Sequence, residues 1–395
     1  MNGLNKKDLK NMNLFRAKPY IPDDTHQWIL KKFESILQTG ALIQGQHVNE
    51  FEQEACRMFN VNNAIATTSC GTGLETVLLA SGIKHKQFIV PTQTFAASVN
   101  CIIRTNNIPL IVDVDPETQC LSLDIIKENM LTENVGGVVL VNMSGLITPE
   151  MEDIEKFCKD NDLFLVTDDA HSYGSELYNE YKDERRCAGT FGDAGVFSFY
   201  PSKIITTAEG GLITTNNDEL AEKCRVVRNH GTRRNDGEYQ GLDYGYTCDI
   251  PSTNYRMSEF HAVLGLAQNK YLNYFIDRRN EIAKMYDERL SKVDWLQTPF
   301  KADNIKQTYW QYIVKITDDT RDRTTELLRL LDVYKIPTAN AYSPLCHEQE
   351  IYKPWLSPKG YKNAEEFITK IFSLPMYVEM TDEQVHYICN SIEEL

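Results

Sequence analysis

Between residues 60 and 215 the chain repeats one pattern: a short apolar run, a turn, a helical stretch, then another apolar run. The runs are NAIATTS, QFIVPTQTF, PLIVDVD, VGGVVLV, DLFLVTDD, AGVFSFY and GGLITT. Most are nearly continuous in Val, Ile and Leu instead of alternating, as in strands covered on both faces. Helical stretches lie between some of them: in MEDIEKFCKDND, Met151, Ile154, Phe157 and Cys158 fall on one face. The pattern predicts an α/β fold, with a mainly parallel seven-stranded sheet flanked by helices. Such sheets place their ligands beyond the carboxyl ends of the strands.

The flanking segments read differently. In DTHQWILKKFESILQTG, residues Trp28, Leu30, Phe33, Ile36 and Leu37 recur at roughly helical spacing, and Gly40 is a natural stop. After residue 260 come a long helical pattern, KYLNYFIDRRNEIAKMYDERL, and a strand pattern, TYWQYIVKI. The last helix starts at Thr381, with Gln384 three residues on as a capping box and Val385, Ile388, Cys389 and Ile392 as its apolar stripe. A chain of 395 residues exceeds one compact core. The expected division is a large domain over 1–255 and a smaller α+β domain over 256–395.

The net charge of −15 leaves no overall basic footprint for nucleic acid. Ten cysteines occur singly with no CxxC pair, the usage of reduced thiols and not of a zinc site or disulfide framework. The start, MNGLNKKDLKNMNLF, has no apolar signal core, and runs such as VVLV at 138–141 are far too short to span a bilayer. The expectation is a cytoplasmic protein with no membrane span, no nucleic-acid partner and no metal.

Four stretches carry chemistry. FLVTDDAHSYG ends a strand on Asp168 and Asp169, with His171 following. Acids there need a partner: a metal, or a protonated heterocyclic nitrogen such as that of pyridoxal phosphate, whose ring is the electron sink for carbanion chemistry. A helix-capping aspartate and a surface histidine explain the same letters. TTSCGTGLETVLLASGI places Gly71, Thr72 and Gly73 between a strand and a helix, a phosphate cradle lacking both the Walker GK[ST] and the GxGxxG fingerprint. In VPTQTFAAS, Phe95 follows a strand at the same sheet edge, placed to stack on a flat cofactor or to fill the core. Finally, GVFSFYPSKIITTAEGG sets Lys203 after an apolar run with Ser198 and Ser202 beside it. A lysine that attacks a carbonyl must lose its proton near neutral pH, and apolar surroundings lower its pKa.

In the order GT, PTQTF, DDAH, FSFYPSK, EGG and NYRMSE, the chain resembles the DegT/DnrJ/EryC1/StrS sugar aminotransferases, which are fold-type-I enzymes dependent on pyridoxal 5'-phosphate. The resemblance runs from GALIQGQHVNEFE to SLPMYVEMTDEQV. It implies that Lys203 forms the internal aldimine and shuttles protons, and that Asp168 pairs with the pyridine nitrogen. Phe95 would stack on the ring, and His171, where the family usually has glutamine, would lie beside the phenolic oxygen. Gly71, Thr72 and Ser198 would hold the phosphate, with Asn254 reaching it across a homodimer interface. The chain departs from the pattern at TDDAH, at NMSG (142–145) and at Ile204. The implied reaction moves an amino group from L-glutamate or glutamine to a nucleotide-linked keto-6-deoxy sugar. A keto-inositol or other ketone as acceptor, or a regulatory protein that binds the cofactor without turnover, are the alternatives. Lys203 argues against the related dehydratases, which carry histidine there. Separately, Arg225, Arg228, Arg233 and Arg234 in CRVVRNHGTRRN are expected to help hold the diphosphate of the sugar nucleotide, or to form a solvated basic loop.

Overall fold

The computed structural model describes residues 13–234, 246–339 and 342–395. Its strands in chain order are β1 (Asn63–Thr67), β2 (Gln87–Pro91), β3 (Ile108–Val112), β4 (Val135–Val141), β5 (Phe164–Asp168), β6 (Glu176–Asn179), β7 (Glu184–Cys187), β8 (Ala194–Ser198), β9 (Gly211–Thr215), β10 (Thr232–Arg234), β11 (Tyr246–Cys248), β12 (Leu296–Gln297), β13 (Ile305–Lys306), β14 (Tyr312–Ile316) and β15 (Ile371–Leu374).

Seven of them form one sheet in the order β1-β9-β8-β5-β4-β2-β3. All seven are runs read from the sequence. The pairs β2–β3, β2–β4, β4–β5 and β5–β8 are parallel, and β9 runs antiparallel between β8 and β1. The two-residue period of the strands splits their side chains between two cores. Ile89, Val138, Leu140, Leu165, Phe197 and Leu212 enter one. Phe88, Val90, Val139, Val166, Val196 and Ile213 enter the other. Because β2, β4, β5 and β8 are parallel, the residues after Pro91, Val141, Asp168 and Ser198 emerge along one edge.

The helix Asp23–Thr39 forms as its periodicity predicts, but only part of the apolar set is covered. Ile29 and Ile36 are buried, whereas Leu30 and Leu37 are 59% and 70% exposed. The set is broader than one buried stripe, and this chain covers only the side facing the helix Glu259–Asn269. That second helix also packs on Gln46–Phe59, so residues just past 255 lie against the first layer. Further on, β12-β14-β15 form an antiparallel sheet backed by Leu272–Leu290 and Asp382–Glu393, around a core of their own. The expected capping box at Thr381 and Gln384 is present, with Val385, Ile388, Cys389 and Ile392 buried. Among the described residues no helix is long and apolar enough to cross a membrane, and no group of three His, Cys, Asp or Glu is placed to hold a metal ion.

Candidate active site

A cavity of about 560 Å³ opens at the edge where the parallel strands end. Gly71, Phe95, Asp168, His171, Ser198 and Lys203 all line it, so the structure brings six of the eight expected residues together. Thr72 does not line it. Its hydroxyl is engaged by Thr68 and Ser69, closing a reciprocal cap on the helix Cys70–Ser81. The first-turn N–H groups of that helix have no partner four residues back, and Ser69, Cys70 and Gly71 present this turn to the cavity. Asn254 is exposed and lies outside this chain's cavity, in a backbone bridge with Asn229.

The turn carrying Lys203 is fastened to that helix through a glycine. β9 begins at Gly211, where an added Cβ would stand 2.4 Å from the backbone carbon and oxygen of Ser69. Only glycine lets the returning strand pass so close. The Lys203 ammonium stands 4.0 Å from the Trp310 ring. Burial lowers its pKa from 10.5 to about 8, against the opposing pull of Asp168.

Asp168 ends β5 inside the protein. Ser98 donates to its Oδ2 at 2.6 Å, and the Ala170 N–H to its Oδ1 at 3.1 Å. The Cys70 thiol is 3.7 Å from Oδ1. Burial raises its pKa, and the Ser98 hydrogen bond is the largest effect in the other direction. Asp169 points elsewhere. Its carboxylate accepts from Thr167 at 2.5 Å and from Asn142 at 2.6 Å, tying β5 to the end of β4, and burial pushes its pKa up to about 6. The two adjacent acids thus divide: Asp168 faces the cavity and Asp169 braces the sheet.

Among the cavity residues that the sequence reading missed, Trp310 and Tyr342 come from the C-terminal part of the chain. Trp310 stacks on His171 with ring centres 3.8 Å apart and planes 9° from parallel, and its indole N–H donates to the Ser202 carbonyl at 2.8 Å. The Tyr342 hydroxyl lies 2.7 Å from His171 Nε2. On the other side of the ring, the Ser144 N–H donates to Nδ1 at 3.2 Å. NMSG builds this contact: Ser144 adopts a left-handed φ of 56°, and an added Cβ at Gly145 would meet Thr308 Oγ1 at 2.2 Å. The signal for Trp310 was its place just ahead of the strand in TYWQYIVKI. Nothing local marks Tyr342.

The arginine loop is corrected in part. Arg228 is buried and bonds to Glu52 and to the Ala66 carbonyl, Arg225 donates to Asn63 at 2.9 Å, and Arg233 donates to Asp249 at 2.7 Å. Internal acceptors already engage all three guanidinium groups. The side chain of Arg234 lies outside the described residues.

The model of the DegT/DnrJ/EryC1/StrS aminotransferase family matches residues 23–393. The chain belongs to this family. It is 32% identical over 354 residues to GDP-perosamine synthase of Escherichia coli O157:H7, covering 89% of this chain and 90% of that protein. It is 30% identical over 374 residues to the spore coat polysaccharide biosynthesis protein SpsC of Bacillus subtilis, covering 93% and 94%. Among solved structures, DesI in the presence of its TDP-sugar product superposes with TM-score 0.82 at 25% identity, over 96% of this chain and 92% of that one. Helicobacter pylori PseC superposes with TM-score 0.86 at 24% identity, over 97% and 99%, a likeness of fold. The expected fold-type-I architecture and aminotransferase membership therefore stand.

Proposed function

We propose that the chain uses pyridoxal 5'-phosphate to move an amino group from L-glutamate or glutamine to the keto group of a nucleotide-linked keto-6-deoxy sugar. The observation that carries this reading is Lys203, a lysine near pKa 8 sharing a cavity with the buried carboxylate of Asp168. At neutral pH a useful fraction of this amine is unprotonated, as a nucleophile and proton carrier must be. The named relatives include a GDP-perosamine synthase and a protein solved with a TDP-sugar product, which supports a sugar-nucleotide acceptor.

The residues present suit the cofactor. Asp168, a buried carboxylate at raised pKa, would hold a protonated ring nitrogen, and Phe95 a ring face. The turn Ser69–Gly71 and Ser198 would take the phosphate. When bound, the pyridoxal ring supplies an electron sink. Lys203 then moves a proton at its Nζ, and Trp310 and Tyr342 wall the chamber against water.

The same reading includes a homodimer and the division at 255/256. Leu30 and Leu37 form an exposed apolar face of the kind a second copy would cover. Asn254, outside its own chain's cavity, would serve a partner's site.

The test is the absorption spectrum of protein supplied with pyridoxal phosphate, before and after L-glutamate. A visible band that requires Lys203 and fades with glutamate is the expected result. Folded protein with no such band refutes the reading.

A further inference from the structure

His171 was expected to face the phenolic oxygen of the cofactor directly, but its surroundings give that task to a neighbour. Its Nδ1 accepts the Ser144 N–H and so carries no proton. Burial and, after it, the nearby Lys203 both disfavour the imidazolium. A neutral ring with a bare Nδ1 has its one proton on Nε2. That N–H points at the Tyr342 oxygen, 2.7 Å away. The Tyr342 oxygen therefore accepts from His171, and its own O–H is left to donate elsewhere. Tyr342 lines the cavity together with Lys203, Asp168 and Phe95. No other described acceptor engages the Tyr342 O–H.

We propose that Tyr342, polarised by the Nε2–H of His171, is the hydrogen-bond donor that the cavity presents to an anionic oxygen beside Lys203. The oxygen would be the phenolate of the cofactor, so the assignment rests on the function proposed above. His171 is then a positioning residue. Ser144 fixes its tautomer, Trp310 fixes its plane, and the ring in turn fixes the direction of the tyrosine hydroxyl. The backbone connects these parts, because the Ser144 carbonyl accepts the backbone N–H of Trp310 at 3.0 Å while the Ser144 N–H meets His171. A left-handed turn at Ser144 thus sets both the ring and its stacking partner. Tyr342 itself sits at a left-handed φ of 53°, a conformation a tyrosine rarely adopts, which holds its side chain toward the cavity. The titratable groups facing the pair are Lys203, Asp168, Cys70 and Cys346.

Two measurements test this, one without cofactor. In the cofactor-free protein, nitrogen NMR of labelled histidine should show His171 neutral, with Nε2 protonated, through the pH range where free histidine titrates. A protonated Nδ1 or an ordinary titration overturns the assignment. In loaded protein, Tyr342→Phe keeps the ring and removes only the donor. A hydrogen bond to the charged form favours that form, so its loss should raise the pH at which the visible band titrates by about one unit, a tenfold gain in proton affinity. His171→Gln retains a side-chain N–H to meet the Tyr342 oxygen and should move the band less. The reverse order, a wild-type titration in Tyr342→Phe and a large shift in His171→Gln, would show that His171 touches the oxygen itself. If wild-type protein forms no Lys203-dependent band, the proposed function has failed, and the NMR measurement still decides the tautomer.

Discussion

Replacing Lys203 with methionine should make the cofactor-free protein more stable at neutral pH. The lysine sits at a pKa of about 8 in the folded chain against 10.5 when free. Between those values the unfolded chain binds more protons than the folded one, so wild-type stability rises with pH through that window. Below about pH 8 the lysine costs the full difference, which at 1.36 kcal/mol per pH unit is about 3 kcal/mol. Water in the cavity screens part of this, leaving an expected gain for Lys203→Met of about 2–3 kcal/mol at pH 7. At pH 9.5 the same arithmetic leaves about 1 kcal/mol. Methionine fills a similar volume, so packing changes little. The assay is urea unfolding of both proteins, stripped of cofactor, at the two pH values. A wild-type protein as stable as the variant at pH 7, or a gap that does not shrink at pH 9.5, refutes the reasoning. The variant should lack the visible band altogether, separating the cost of the amine from its use.

Three further outcomes are expected. Ser98→Ala removes the 2.6 Å hydrogen bond that opposes the rise in the Asp168 pKa, and should weaken retention of pyridoxal phosphate about tenfold, measured by equilibrium dialysis. Gly211→Ala drives a methyl into the Ser69 backbone and should cost about 1–3 kcal/mol, read as a lowered urea midpoint together with weaker cofactor binding. Arg228→Ala leaves the partly buried Glu52 without its guanidinium and should cost about 2–3 kcal/mol in the same unfolding assay. A stable Arg228→Ala protein with a raised KM for the sugar nucleotide would return Arg228 to the ligand.

The main sheet was legible because its strands announce themselves. VGGVVLV and DLFLVTDD are apolar enough to be buried on both faces, and turn residues bound them. The polar hairpin of β6 and β7 has no such pattern, since ELYN and ERRC are only partly covered. Asp168, His171 and Lys203 were legible because each follows a recognisable strand. Trp310 and Tyr342 were not, because they reach His171 across 139 and 171 residues of sequence, a proximity only chain folding creates. Arg228 misled for the same reason: its carboxylate, Glu52, is 176 residues away. The outer face of Asp23–Thr39 showed its apolarity in sequence, but sequence does not say which side the chain itself covers.

The cavity wall has two pedigrees. Asp168, Ser198 and Lys203 hang from one sheet, and Gly211 welds their turn to the helix beginning at Cys70. Trp310 and Tyr342 arrive from a stretch of chain that contributes no strand to that sheet. Trp310 bridges the two, with its ring 4.0 Å from the lysine ammonium and its indole N–H on the carbonyl of the preceding Ser202. A change on the far side is therefore felt at the lysine through a single indole, and the two halves of the wall can alter only together.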